Sequence, residues 1–226
     1  MCGRYSVLTE DEIIEIRSIL HDISLHMVRD ELEHYESRPG EVRPMDQAPI
    51  IAMNKDGASF ERARFGFRKW DGKGVIINAR SDTLQRPGNL FARIQSIGRC
   101  VVPASEYYEW KNPSENDDTN AKLGKKAKKT KHFIKDREGN ILFFAGLYQD
   151  TDEGRAFVII TKDAFGDVSD IHDRMPVILR ASQLELWLNG TLTPEDVANM
   201  DFNADVAPCD TETVGKQDDG EQLRLF

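Results

Sequence analysis

The chain has 226 residues, 39% of them apolar and 31% charged, with a net charge of −9. That balance fits a globular protein with one substantial core or two small ones, and it excludes a fibrous or wholly disordered chain. No stretch approaches the roughly 20 apolar residues a membrane span needs. The opening MCGRYSVLTEDE has neither a basic run nor a long apolar core, so a cytoplasmic address and no membrane partner are expected.

The charge is uneven. Residues 10–41 hold ten acids against three arginines, and residues 201–226 hold seven acids against two bases. The centre is left mildly basic, which allows a local basic groove despite the acidic total. The three cysteines, at 2, 100 and 209, form no CxxC and no Cys/His cluster. Free thiols are expected, with no metal and no cofactor. Cys100, inside the apolar run 99–102, reads as a core residue.

In chain order, Thr9-Glu10-Asp11-Glu12 fits a capping box, and Ile13, Ile16 and Leu20 follow at helical spacing. A helix over 10–21 is predicted. The charged segment 22–38 reads as a second helix, broken at Arg38-Pro39-Gly40. Apolar runs at 49–53, 60–67 and 75–78 read as strands, 90–97 as a short helix, and 99–104 and 107–110 as further strands. From Asn112 to Lys131 the chain turns polar and low in complexity. Its Lys-rich half reads either as a solvated hairpin tip or as an arm contacting phosphates. Strands resume at 132–136, 141–149, 156–162 and 177–179, with Arg137-Glu138-Gly139-Asn140 as a hairpin turn. Short helices follow at 182–188 and 194–200. Strands dominate the middle and helices the ends, without βαβ alternation. This predicts an α+β fold: one domain over 1–200 with a curved, barrel-like mixed sheet and peripheral helices, then an acidic tail over 201–226.

The start of the chain carries unusual chemistry. Removal of Met1, which a small following residue favours, would leave Cys2 with an α-amine and a thiol two bonds apart. Both groups titrate near ~8 and are partly nucleophilic at neutral pH. Such an aminothiol condenses with an aldehyde to an imine, which the sulfur then closes to a thiazolidine. Three further sites stand out: Asn78-Ala79-Arg80 ending a strand, Glu109 among Tyr107, Tyr108 and Trp110, and His172 beside Asp173 and Arg174. An apolar setting raises a Glu pKa toward acid/base use. The plainer readings are a chance second-position Cys, an outward-facing Glu and a loop or core His. His21, His26, His34 and His132 read as surface residues.

MCGRY at the start, NARSDTL at 78–84, RCVVPASEYYEWK at 99–111 and IHDRMPVIL at 171–179 occur in the order and spacing of the SRAP family. The chain resembles these SOS-response-associated peptidase-like, abasic-site-processing proteins over 1–189. The resemblance implies a β-rich domain with a positively charged groove that crosslinks to abasic sites in single-stranded DNA. It implies Cys2 as nucleophile, Asn78 as the group positioning the chain start and the opened sugar, Glu109 as acid/base, and His172 as the aid to ring opening and reversal. It further implies that Arg4, Arg80, Thr161 and Arg174 hold the site and its phosphates, and that Trp70 packs on nucleic acid. Glu41 stands where family members commonly carry Asn nearby, and the 112–131 insertion is longer and more basic than a short family hairpin.

The last five residues, Gln222-Leu223-Arg224-Leu225-Phe226, follow a polar tail. They resemble the bacterial sliding-clamp peptide, with Leu225 and Phe226 as the apolar anchors. A bacterial or phage origin is the corresponding expectation. Two other functions stay open at this level: a cysteine peptidase using Cys2, Glu109 and His172, and a non-catalytic single-stranded DNA module recruited to the clamp. A monomer is expected.

Overall fold

The computed structural model describes residues 2–23, 25, 27–32, 40–54, 56–69, 71–84, 86, 88, 91, 98–113, 129–199 and 201–209. Strand β1 (Arg4–Ser6) leads into helix α1 (Glu10–Asp22). The helix starts on the expected capping box. Glu12 N–H donates to Thr9 Oγ1 at 3.2 Å, and Thr9 N–H donates to the Glu12 carboxylate at 2.7 Å. Its stripe of Ile13, Ile16 and Leu20 is buried.

The second helix expected over 22–38 is replaced, where the structure describes this segment, by strand β2 (Met27–Asp30). It lies parallel to β5 (Gly57–Phe65), Met27 opposite Ala58. Its charged residues suit a half-exposed edge, and Asp30 accepts both Arg17 Nε and Leu32 N–H. Pairing with a strand some thirty residues away has no local signal.

Strand β3 (Glu41–Val42) falls outside the expected apolar runs, which β4 (Gln47–Asn54), β5 with β6 (Phe67–Arg68), and β7 (Val75–Ile76) with β8 (Asn78–Arg80) follow. Then come β9 (Arg99–Ala104), β10 (Glu106–Lys111), β11 (Thr130–Asp136), β12 (Leu142–Thr151), β13 (Gly154–Asp163), β14 (Arg174–Pro176) and β15 (Ile178–Leu179). Two one-turn helices, α2 (Leu184–Leu188) and α3 (Pro194–Ala198), precede β16 (Ala204–Pro208). The helix expected at 90–97 lies outside the described residues except Phe91.

Strand β5 pairs antiparallel with β4 and parallel with β13, so β5–β4–β9–β12–β13 closes on itself as a small mixed barrel. A second, antiparallel sheet runs β16–β11–β10–β1–β3. Alternation along the barrel strands divides the core in two. One cluster joins α1 and Trp187 of α2 to residues such as Phe60, Val158 and Ile160. The other joins the barrel to the second sheet: Tyr5 meets Phe65 and Phe144 edge-on, and Tyr107 meets Phe144. Cys100 is buried there, as expected.

Two expectations need correction. Residues 137–140 do turn, with Gly139 at φ +81°, but β11 and β12 belong to different sheets, so the turn is a crossover rather than a hairpin. The tight hairpin is Asp152-Glu153, between Thr151 and Gly154 of β12 and β13. Both turns use a glycine with positive φ, and a local signal cannot say which sheet the next strand joins. Residues 204–208 pair with β11, so the sheet extends past 200, where the acidic tail was expected to begin. Among the described residues no helix is long and apolar enough to cross a membrane.

Candidate active site

Strand β10 alternates, with Tyr107 and Glu109 pointing into the core and Glu106, Tyr108 and Trp110 on the other face. Glu109 is therefore an inward carboxylate, only 3% exposed. Burial raises its pKa, and the positive charges of the chain's terminal ammonium and of His172 oppose that rise.

Cys2 is fully buried, with Sγ 4.0 Å from the carbonyl oxygen of Arg4. Burial, and next the negative charge of Glu109, push its thiol well above the usual range. The Cys2 carbonyl accepts a hydrogen bond from Asn78 Nδ2 at 3.1 Å. Asn78 is placed by parallel pairing of β8 with β13, which sets it beside Ile159 and sets Arg80 beside Thr161. Asn78 Oδ1 is buried without a hydrogen-bond partner among the described residues.

His172 follows a 3₁₀ turn over Gly166–Asp170, and its N–H donates to Val168 O at 3.0 Å. Its Nδ1 accepts Arg174 N–H at 3.0 Å and stands 2.7 Å from Asp173 Oδ1. One nitrogen cannot accept from the first and donate to the second at once.

The sequence reading missed His132. It is buried rather than at the surface, and it pairs across the strands with Glu109. Its Nδ1 lies 3.1 Å from Thr130 O. The signal was its alternation with buried Ile134 on β11.

The three arginines expected to hold phosphates, Arg4, Arg80 and Arg174, each meet a carboxylate. Arg4 Nη1 meets Glu41 at 3.2 Å and stacks over Trp110, 5.1 Å from the ring centre. Lys131 pairs with the same Glu41 and lies 3.8 Å from the Tyr108 ring centre. Arg80 forks onto Asp82 at 3.1 and 3.2 Å, and the pair is half exposed. Arg174 is buried, donating to Asp163, to Thr161 O at 2.7 Å and weakly to Thr161 Oγ1 at 3.5 Å. Thr161 is fully buried beneath it. Trp70 and residues 222–226 lie outside the described residues, as does the core of the Lys-rich segment, 114–128.

A cavity of about 430 Å³ adjoins this region, lined among others by Ser81, Asp82, Lys162 and Arg174. None of Cys2, Asn78, Glu109 or His172 lines it. Among the described residues no group of three His, Cys, Asp or Glu side chains could hold a metal ion.

A closed mixed barrel is backed by a second sheet, and Cys2 is buried in the core they share with its carbonyl bonded to Asn78. The chain belongs to the SOS response associated peptidase (SRAP) family, which matches residues 1–217. It is 32% identical over 215 residues to the abasic site processing protein YoqW of Bacillus subtilis strain 168, covering 87% of this chain and 84% of that protein. It is 30% identical over 132 residues to the abasic site processing protein HMCES of Gallus gallus, covering 52% of this chain and 39% of that one. A solved protein from Bacteroides thetaiotaomicron shares the fold, with a TM-score of 0.66, 22% identity and 93% of each chain covered.

Proposed function

We propose that this protein processes abasic sites in single-stranded DNA, crosslinking to them through Cys2 once Met1 is removed. One observation carries the reading: Cys2 is fully buried and its carbonyl is bonded to Asn78, a residue far away in sequence. The names of the relatives support the substrate.

An abasic sugar is mostly a closed hemiacetal, and acid/base help from Glu109 and His172 opens it to the aldehyde. The freed Cys2 amine adds to the aldehyde carbon and water leaves, giving an imine. The thiol then adds across C=N: sulfur bonds to carbon, the proton ends on nitrogen, and a thiazolidine closes. Ring closure removes the iminium that would promote β-elimination of the 3′ phosphate, so the strand is protected. Holding amine and aldehyde together gives a large effective molarity. Salt-sensitive cations hold the flanking strand, and aromatics stack on its exposed bases.

The deciding comparison is Cys2→Ala against wild type on an oligonucleotide with one abasic site. A denaturation-resistant adduct with wild type alone supports the proposal. Peptide cleavage without DNA, or salt-sensitive binding independent of Cys2, overturns it.

The terminal Gln222-Leu223-Arg224-Leu225-Phe226 adds a recruitment step to the proposal, with Leu225 and Phe226 anchored on the sliding clamp to raise local concentration at replicating DNA. Deleting 222–226 leaves crosslinking intact and abolishes retention on immobilised clamp. Equal retention removes the step.

A further inference from the structure

Tyr107 is fully buried, yet its hydroxyl has no hydrogen-bond partner among the described residues. A buried hydroxyl without a partner weakens the fold, and a phenylalanine would fill the same space without that cost. The ring itself is well placed, edge-on to Phe144 at 5.9 Å and paired across the strands with Tyr5 and Ile134. The packing therefore explains the ring and leaves the oxygen unexplained. Tyr107 shares the inward face of β10 with Glu109, about 7 Å along the strand. It also shares a core cluster with Cys2.

We infer that the Tyr107 hydroxyl is a positioning donor for the Cys2 sulfur, used when the thiol closes the ring. This rests on the crosslinking reading above. In the closing step the thiol proton leaves for Glu109 or the imine nitrogen, and sulfur carries transient negative charge in a dry setting. A phenol without a partner in the same core cluster can turn its hydroxyl to that sulfur and offer a hydrogen bond that the resting thiol does not require. Burial, then the charges of Cys2 and Glu109, push the Tyr107 pKa far up, so it stays a donor throughout. The titratable groups turned toward it are Cys2, Glu109, Tyr5 across β1 and His132 along β11. Stabilisation of developing charge by one donor is worth about 100-fold or more in oxyanion sites. A sulfur acceptor is softer, and a loss of about tenfold to a hundredfold in closure is expected.

The test is Tyr107→Phe on abasic single-stranded DNA, with borohydride trapping to separate imine from closed ring. The expected result is a Tm at or above wild type and an unchanged rate of imine formation. Closure slows about tenfold to a hundredfold, its pH profile moves to higher pH, and strand cleavage rises. Closure and pH profile equal to wild type overturn the inference. A second measurement needs no DNA: the pH dependence of Cys2 thiol modification by methyl methanethiosulfonate, read by peptide mass. The expected midpoint is higher in Tyr107→Phe, and an equal midpoint overturns the inference. Failure of the crosslinking reading looks different, since wild type then gives no Cys2-dependent adduct at all.

Discussion

Asn78 reaches across from β8 to donate its side-chain amide to the carbonyl of Cys2 at 3.1 Å, although 75 residues of chain lie between them. This bond holds the Cys2 backbone against strand β8. It leaves Asn78 Oδ1 buried and ready for a second partner. One side chain thus holds the Cys2 backbone with its amide nitrogen and keeps a buried acceptor beside it.

Asn78→Ala removes both contacts. The hydrogen bond contributes about 1 kcal/mol to stability, and misplacing a reacting group can cost about a hundredfold in rate. A small fall in Tm with a large fall in adduct formation is expected. An unchanged crosslinking rate in a gel time course would remove Asn78 from the mechanism.

Glu109 gives a pH signature. Its folded-state pKa is raised above the usual carboxylate value by burial. Between the unfolded and folded values the native state binds more protons than the unfolded one, so this group's contribution to stability falls as pH rises through that window. Glu109→Gln has no such titration and gains stability relative to wild type across the window, measured by thermal melts at stepped pH. Crosslinking by the variant slows by about a hundredfold or more. Parallel stability curves and equal rates would show that Glu109 is a bystander.

The bond between Glu41 and Arg4, with Lys131 on the same carboxylate, predicts an electrostatic consequence. A DNA phosphate has to displace Glu41 to reach either cation. Glu41→Gln frees both, so affinity for single-stranded DNA rises. The slope of log affinity against log salt steepens by about 0.7 for each phosphate gained. Fluorescence anisotropy over a salt series measures both, and unchanged slopes would mean that these cations do not meet phosphate.

The sequence revealed most where a signal is local. The capping box at Thr9 and the strands from 99 to 111 were legible because helix caps and alternation are short-range patterns. Cys2 and Glu109 stood out by chemical type and setting. What stayed hidden was long-range. Nothing near residues 27–30 announces a parallel partner at 58–60. Nothing near 137–140 tells a crossover from a hairpin. That Arg4 and Arg174 meet carboxylates was hidden because Glu41 and Asp163 sit 37 and 11 residues away. His132 was passed over because its importance lies in being opposite Glu109.

The account turns on the freed amine and thiol of Cys2 meeting one aldehyde, and intact mass spectrometry of the purified protein, alone and after incubation with an abasic oligonucleotide, tests it most directly. The prediction is a chain lacking Met1 that then gains the mass of the oligonucleotide less one water, with no adduct from Cys2→Ala. A protein that keeps Met1 and still forms the adduct, or an adduct that survives the loss of Cys2, would contradict it.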